Sequence, residues 1–216
     1  EGLTSLSHFF ALIIDTRSRF TATHSSGVAS SAMELGAALG MNAPDCSKIR
    51  IAGNLHDLGK LMVPEKILLK PGELTNEEWL VMRAHPYYTH RILERVEGLE
   101  DITFWASNHH EELNGGGYPF GLSADNLTLG ARTMAVADVF TAVVEDRPYR
   151  AGMKKEEIRK VFGEMVADRK LDKEVVEALF DNYKIIDESR RSAQEQELIT
   201  LSEFWDCAGE TAGNIF

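Results

Sequence analysis

The stretch Gly53–Leu61 reads GNLHDLGKL and sets a histidine next to an aspartate, His56 and Asp57, flanked by the apolar residues Leu55 and Leu58. Burying two adjacent ionisable groups costs free energy unless something compensates for their lost hydration. A divalent metal ion provides such compensation, and a carboxylate beside an imidazole can bridge two ions. We therefore predict that this stretch lies inside a helical domain and contributes metal ligands.

Helical periodicity dominates the sequence on both sides of this stretch. Apolar residues recur at steps of three and four, as one apolar helix face requires, and the first such stripe comprises Leu3, Leu6, Phe10, Ile13 and Ile14. Further helices are predicted over about 23–39, 45–58, 100–111, 130–145, 154–168 and 173–187. Thr75 and Glu78 form a capping-box pattern ahead of another helix. Strand signals are confined to residues 61–63, ahead of Pro64, so the predicted fold class is all-α.

One long irregular segment interrupts the helices, from about Glu112 to Leu129. It is rich in glycine, with three consecutive glycines at 115–117 followed by Tyr118 and Pro119. A loop of this length inside a helical domain is more often functional than idle. We therefore predict that it borders the functional site.

The length of 216 residues suits one large domain, or one domain plus a short extra piece. We predict an N-terminal helix over 1–22, a main domain over 23–188 and a C-terminal helical tail over 189–216. The polar run SRRSAQEQE at 189–197 is interpreted as a hinge before the tail. An apolar stripe of Leu198, Leu201 and Trp205 favours packing of the tail on the domain; dimerisation through the tail and partial disorder remain alternatives.

Composition and charge limit the function classes. The net charge of −11 argues against a broad surface for a nucleic acid polymer, but leaves a small anionic substrate open. No apolar run approaches the ~20 residues of a membrane span, and the two cysteines fit a reducing compartment, so we expect a cytoplasmic protein. The first residue is Glu1 rather than Met, and we expect a piece of a longer protein with a sensory or receiver domain upstream.

Two further positions repeat the pattern of ionisable groups in apolar surroundings. His109 and His110 end a predicted helix just before the glycine-rich loop, and Asp138 lies in the apolar run AVADVF. Separate helices would thus each offer one or two ligands to a common interior, which is how helix bundles build dinuclear sites. Imidazole and carboxylate ligands without thiolate suit iron or manganese, whereas zinc usually prefers four-coordinate sites.

Lys60 lies four residues after His56, on the same face if the helix continues that far. Spacing alone leaves two interpretations open. The side chain either extends along the surface with its ammonium in water, or steadies a phosphate beside a metal site.

At this point the sequence resembles the HD-GYP family, a branch of the HD phosphohydrolase superfamily. The resemblance covers about three quarters of the chain, from about His24 to Asp187. The stretches that carry it are LHDLGKLMVPEKILLKPGELT (55–75), AHPYYTHRIL (84–93), HHEELNGGGYPFGL (109–122), ARTMAVADVFTAVVEDRPYR (131–150) and LDKEVVEAL (171–179). A histidine–aspartate pair alone is a weak signal, whereas this ordered set is highly specific.

The resemblance implies a helical HD-type bundle with a metal site between helices and a GYP loop. It implies metal ligation by His24, His56, Asp57, His85, His109, His110 and Asp138. Asp57 is expected to bridge the ions and, with Lys60, to serve catalysis. Substrate contacts are expected from Lys60, Arg147 and Arg150, and the signature loop comprises Gly117, Tyr118 and Pro119. The implied cofactors are two divalent ions, iron or manganese, with zinc, nickel and other metals as alternatives.

The sequence departs from the family pattern at a few positions. Family members with three metals carry a glutamate four residues before the first ligand histidine, where this chain has Phe20. We therefore predict two metals rather than three. Glu112 and Asn114 replace an arginine and an aspartate of the usual loop, and Thr89 stands where many members have glycine. His8 and His90 match no family position, and we interpret both as structural or surface residues.

The expected activity is hydrolysis of cyclic-di-GMP to linear pGpG by a water that two metal ions activate, with further cleavage to GMP left open. Two alternatives remain. The domain could be a catalytically weak receptor that binds cyclic-di-GMP in bacterial signalling and passes the signal to a partner, or a phosphodiesterase for 3′,3′-cyclic GMP-AMP or another nucleotide. A homodimer is a further expectation, and incidental histidines in a plain helical domain would leave seven ordered matches unexplained.

Overall fold

The computed structural model describes residues 2–17, 23–146 and 151–213, with side chains as far as residue 203. This part of the chain forms eleven α-helices and two short 3₁₀ segments, at Leu58–Met62 and Ala124–Asn126, and contains no strand. The α-helices are α1 (Gly2–Arg17), α2 (His24–Ala38), α3 (Ala43–Leu55), α4 (Glu65–Leu68), α5 (Asn76–Met82), α6 (His85–Leu93), α7 (Glu100–Ser107), α8 (Leu129–Val144), α9 (Lys155–Ala167), α10 (Lys173–Asp181) and α11 (Tyr183–Gly213). The predicted all-α class is confirmed.

Local signals explain several helix ends. Gly40, with φ of 80°, lies two residues beyond the last residue of α2 and adopts the left-handed conformation that favours glycine. The capping box of α5 is present, because the Glu78 amide donates to the Thr75 hydroxyl and the Glu78 carboxylate accepts from the Thr75 amide. The weak strand prediction at 61–63 is wrong: Leu61 and Met62 belong to a 3₁₀ segment. Val63 alone is extended, as the residue before a proline prefers.

Two apolar cores share α8. One lies between α2, α3, α7 and α8 and contains Val28, Ile49 and Met134. The other joins α8 to α9 and α10 through Phe140 and Phe162, both fully buried. Each such side chain contributes roughly 1.5–3 kcal/mol by leaving water, so α8 is anchored along its length.

Two glycines allow the segments that carry the ionisable residues to pack closely against neighbouring helices. A Cβ on Gly53 in α3 would lie 2.5 Å from the Cα of Ala29 in α2. A Cβ on Gly59 would lie 1.9 Å from the carbonyl oxygen of His85. Because real Cβ atoms do not approach so closely, glycine is required at both positions for α3 to contact α2 and for the 3₁₀ segment to contact α6.

Helix α1 does not bury the stripe that the sequence suggested. Leu3, Leu6, Phe10 and Ile13 are 36–50% exposed, and of the predicted stripe Ile14 alone is buried. The buried face instead carries Ser7, Ala11, Ile14 and Asp15. Polar partners explain this choice, since Ser7 accepts a hydrogen bond from Asn54 and Asp15 accepts two from Ser25.

The polar hinge predicted at 189–197 is wrong, because α11 runs unbroken from Tyr183 to Gly213. Some of its polar residues have polar partners instead of water: Ser189 bonds to Ser30 and Glu34 of α2, and Arg190 is buried in an ion pair with Asp187 of α11 itself. Others, such as Arg191 and Glu195, are exposed. Within the described side chains of the apolar stripe, Leu201 is buried and Leu198 exposed, and Trp205 lies outside them. The division into 1–22, 23–188 and 189–216 stays a prediction.

None of the helices in the described ranges combines the length and the apolar character that a bilayer span requires.

Candidate metal centre

Five parts of the fold bring ionisable side chains to one interior point. They come from the start of α2, the turn after α3, the start of α6, the turn after α7 and the middle of α8. Six of these residues are buried, at 8% exposure or less, whereas the His110 side chain is partly exposed. The residues concerned are His24, His56, Asp57, His85, His109, His110 and Asp138, which is the full set that the family resemblance implied.

The cluster contains three overlapping groups of potential ligands. In each group the ligand atoms all lie within 4.8 Å of one another: His24, His56 and Asp138; His56, Asp57 and His109; and His85, His109 and His110. His56 and His109 each belong to two groups, so the three form one continuous centre. Nitrogen and carboxylate donors at these distances suit a divalent metal ion.

Two carboxylates tie the histidines together. Asp57 lies between two of them, with Oδ2 3.3 Å from His56 Nε2 and Oδ1 3.2 Å from His85 Nε2. Asp138 Oδ1 lies 3.2 Å from His24 Nε2 and 3.8 Å from His56 Nε2. The two oxygens of Asp57 therefore face different histidines, as a bridging carboxylate would.

Backbone carbonyls fix the tautomer of three histidines. His56, His85 and His109 each donate from Nδ1 to the carbonyl three residues earlier, at 2.7–2.8 Å. A carbonyl oxygen can only accept, so Nδ1 carries the proton in each neutral ring and Nε2 keeps its lone pair. These Nε2 atoms point into the centre, where a metal ion would use them.

The centre shifts the pKa values of its members in opposite directions. Burial raises the pKa of Asp57, but the charges of His56 and Lys60 outweigh it and hold that pKa well below its usual range. Burial lowers the pKa of His110 to about 3. His24 behaves differently: burial opposes its protonation, yet hydrogen bonds to Asp138 and Glu145 raise its pKa to about 10. A metal ion on His24 Nε2 would therefore displace a proton.

Lys60 points inward. Its ammonium forms an ion pair with Asp57 Oδ2, and its side chain is 21% exposed. Burial lowers the pKa of Lys60 but Asp57 raises it further, so the ammonium stays charged. The alternative of an ammonium in open water is wrong, whereas a catalytic role for Lys60 stays a prediction.

The glycine-rich loop is held against the centre by Glu111, a residue to which the sequence assigned no role. Its buried carboxylate accepts hydrogen bonds from the backbone amides of Phe120, Gly121 and Leu122. Tyr118 lies over the His110 ring, at 4.7 Å between centroids, and the Arg83 guanidinium contacts the Tyr118 ring at 4.3 Å. The HHE triplet at 109–111 was a visible signal for Glu111, because this charged residue precedes a loop whose backbone amides lie outside any predicted helix and need acceptors.

The departures from the family pattern have local partners. The Asn114 amide group accepts from the Gly116 amide and donates to the Asp168 carbonyl. Thr89 donates to the His56 carbonyl and accepts from the Gly59 amide, both at 2.9 Å. Thr89 thereby holds the segment that carries His56 and Asp57 against α6.

Some predicted residues lie elsewhere. The described residues do not include Arg147 and Arg150, the expected substrate contacts. They also do not include Phe20, on which the predicted number of metal ions rests. His8 pairs with Glu197 and His90 with Glu94, and neither belongs to the groups of potential ligands.

Similarity to known proteins identifies the family of this chain. The sequence profile described as the HD domain matches residues 9–175. The chain belongs to the HD domain family. The HD-GYP branch of this family, predicted from the motifs, is confirmed.

Two curated relatives and one solved structure are similar to this chain. The chain is 37% identical to a 3′3′-cGAMP-specific phosphodiesterase 1 of Vibrio cholerae over 84% of this chain and 42% of that protein. It is 39% identical to a cyclic di-GMP phosphodiesterase of Pseudomonas aeruginosa over 64% of this chain and 34% of that protein. An HDGYP protein of Bdellovibrio bacteriovorus superposes with a TM-score of 0.61 at 19% identity, covering 76% of this chain and 54% of the other, which supports the fold. The chain thus spans less than half the length of these two curated relatives.

Proposed function

We propose that this HD domain is a metal-dependent phosphodiesterase that hydrolyses a cyclic dinucleotide, with cyclic-di-GMP as the first candidate and linear pGpG as the product. The observation that carries the proposal is the buried centre of five histidines and two aspartates with a charged lysine beside it. A site of this kind suits an anionic phosphodiester on a chain whose net charge is −11, because bound divalent ions would concentrate positive charge at one point.

The imidazole nitrogens and carboxylate oxygens of the centre suit two divalent ions. His24, His56 and Asp138 would hold one ion, and His85, His109 and His110 the other, with Asp57 between them. When bound, such ions supply Lewis acidity to a phosphodiester and to a water molecule. We retain iron or manganese as the expected metals and two ions per chain, with the count resting on the family argument at Phe20.

The chain's own groups would orient and stabilise the reacting phosphate. The Lys60 ammonium, held charged by Asp57, would neutralise charge that develops on a phosphoryl or leaving oxygen. Asp57 and Asp138 lie beside the Nε2 atoms of the histidines and would share the metal ions with them. Arg147 and Arg150 are proposed, from the family resemblance, to contact the two phosphates through charge-assisted hydrogen bonds.

A cavity of about 490 Å³ lies beside Tyr118, whose ring contacts that of His110 in the centre. The described residues that line it include Trp79, which is half exposed, and Arg83. An aromatic surface beside a phosphate site suits a nucleobase, since every base has a face that stacks. This supports a dinucleotide substrate over a simple phosphate ester.

A second substrate is favoured by a specific observation. The relative matched over 84% of this chain bears the name of a 3′3′-cGAMP-specific phosphodiesterase. Both candidates share two phosphodiesters and one guanine, and differ in the second base. We therefore keep 3′,3′-cyclic GMP-AMP as the alternative substrate of the same site.

The test is a turnover assay with both substrates side by side. The purified protein is loaded anaerobically with Fe(II) or Mn(II), incubated with each cyclic dinucleotide, and the products are resolved by HPLC. We expect a linear dinucleotide from at least one of them, and the ratio of the two kcat/KM values assigns the substrate. Saturable binding without turnover with either metal would support a receptor instead, and neither binding nor turnover would require another nucleotide.

A matched pair of lysine variants tests the proposed chemistry. Lys60→Ala is expected to keep its metal content and to lose about 10²- to 10³-fold in kcat, the usual effect of removing one electrostatic stabiliser. Lys66→Ala, in the exposed part of α4, is the control and should retain the wild-type rate. An unchanged kcat in Lys60→Ala would remove Lys60 from the mechanism.

A further inference from the structure

His24 is held differently from the other buried histidines of the metal centre. His56, His85 and His109 each donate from Nδ1 to a carbonyl three residues earlier. His24 Nδ1 instead lies 3.1 Å from a carboxylate oxygen of Glu145, 121 residues away in the sequence. Its Nε2 lies 3.2 Å from Asp138, inside the centre. One ring atom therefore faces the ligand cluster and the other faces Glu145.

Glu145 is itself held by the C-terminal helix. It follows α8 directly, and its second oxygen accepts a hydrogen bond from the Gln194 side chain of α11. The same Gln194 amide nitrogen donates to the Thr23 carbonyl ahead of α2, and its oxygen accepts from Arg190. Both carboxylate oxygens of Glu145 are thus engaged, one by the histidine and one by α11.

A glycine makes this contact between helices close. A Cβ on Gly27 of α2 would lie 2.7 Å from the Gln194 side-chain nitrogen, which is too near for a real contact. The position therefore has room for Gln194 because it carries no side chain. Gln194, Glu145 and His24 form one continuous hydrogen-bonded series from α11 to the centre.

We propose that Glu145 is a positioning residue, held by Gln194, that fixes the tautomer and orientation of His24 for metal binding. A carboxylate can only accept, so it keeps the proton on Nδ1 and leaves Nε2 for the ion. A carboxylate in this place also increases the basicity of the ligand nitrogen. The inference rests on the metal centre proposed above, and it makes α11 part of the support of that centre.

The test measures metal binding in the full chain. Mn(II) is titrated into wild type, Glu145→Ala, Glu145→Gln and Gln194→Ala by isothermal calorimetry, with circular dichroism to check folding. Loss of a histidine's hydrogen-bond partner typically costs about 10- to 100-fold in metal affinity. We expect a loss in that range for Glu145→Ala, a smaller loss for Glu145→Gln, which retains an acceptor oxygen, and a smaller loss again for Gln194→Ala. The number of ions per chain should stay unchanged.

The matched control is Glu195→Gln. Glu195 is exposed, adjoins Gln194 in α11 and borders the same cavity as Glu145, so the substitution removes the same charge nearby. It should leave the affinity for Mn(II) unchanged. An equal loss in Glu195→Gln would mean that general charge, and not the contact with His24, matters, and would overturn the proposal.

A second readout reports on the tautomer itself. Imidazole ¹⁵N shifts of the Zn(II)-loaded protein should identify a protonated Nδ1 on His24 in wild type and a loss or exchange of that signal in Glu145→Ala. Unchanged shifts and affinity in Glu145→Ala would contradict the proposal. A fall in stoichiometry by one ion would also contradict it, since Glu145 would then be a ligand. Wild type that binds no metal would instead refute the proposed function as a whole.

Discussion

The buried carboxylate of Asp15 makes a prediction that can be worked out from the structure. Asp15 lies in α1, is 2% exposed, and accepts hydrogen bonds from the Ser25 amide and hydroxyl at 2.9 Å. Burial raises its pKa from 3.8 to about 6, although His24 and the Ser25 hydrogen bonds lower it. The shift is roughly two units, which corresponds to about 3 kcal/mol.

The sign follows from proton linkage. Because the folded-state pKa of Asp15 lies above the unfolded value, the protonated carboxyl stabilises the folded state below about pH 3.8. This stabilisation is lost as the pH rises through about 6. Asp15→Asn removes the titration. We therefore expect the unfolding free energy of the variant, relative to wild type, to rise by about 3 kcal/mol between pH 4 and pH 8.

Urea unfolding at matched metal content and several pH values measures this difference. The exposed Asp181→Asn is the matched control, because the same substitution in water removes no buried carboxylate. A difference between Asp15→Asn and wild type that stays flat from pH 4 to pH 8 would refute the reasoning.

Three further predictions concern the support of the centre. Gly59→Ala should lower metal affinity and unfolding free energy together, measured by calorimetry and urea unfolding, because its Cβ would meet the His85 carbonyl at 1.9 Å. Thr89→Val should destabilise the fold by about 1–3 kcal/mol, because it leaves the buried Gly59 amide without its acceptor; an unchanged urea midpoint would contradict this. Glu111→Gln should raise KM more than it lowers kcat, because the loop loses a charged acceptor of three amides; equal KM values would contradict a role in holding the loop.

The centre could be predicted from sequence because its members carry a local signature. His56, Asp57 and Asp138 are ionisable groups inside apolar helical runs, the pair at 109–110 ends a predicted helix before the loop, and the ordered motifs added His24 and His85. The structure brings all of them together. The same signature was present at Asp15, which follows the apolar run ALII, and it could have been used there.

Other features had no local signature. The contact between His24 and Glu145 joins residues 121 positions apart, and Glu145 lies in a run that looks like an ordinary helix end. The hinge prediction at 189–197 was wrong because the polar run suggested an exposed, irregular segment, whereas Arg190 and Glu197 are buried against polar partners. In α1 the apolar stripe suggested the buried face, but hydrogen-bonding partners at Ser7 and Asp15 determined which face packs.

The central claim is that one buried metal centre performs phosphodiester hydrolysis. The most direct measurement is the metal content and the cyclic-di-GMP turnover of wild type and Asp57→Asn, prepared and loaded with Mn(II) in parallel. We predict bound Mn(II) and conversion to pGpG in wild type, and loss of both metal and turnover in Asp57→Asn, because the amide cannot bridge two ions as a carboxylate does. Full metal content and full turnover in Asp57→Asn would contradict the account.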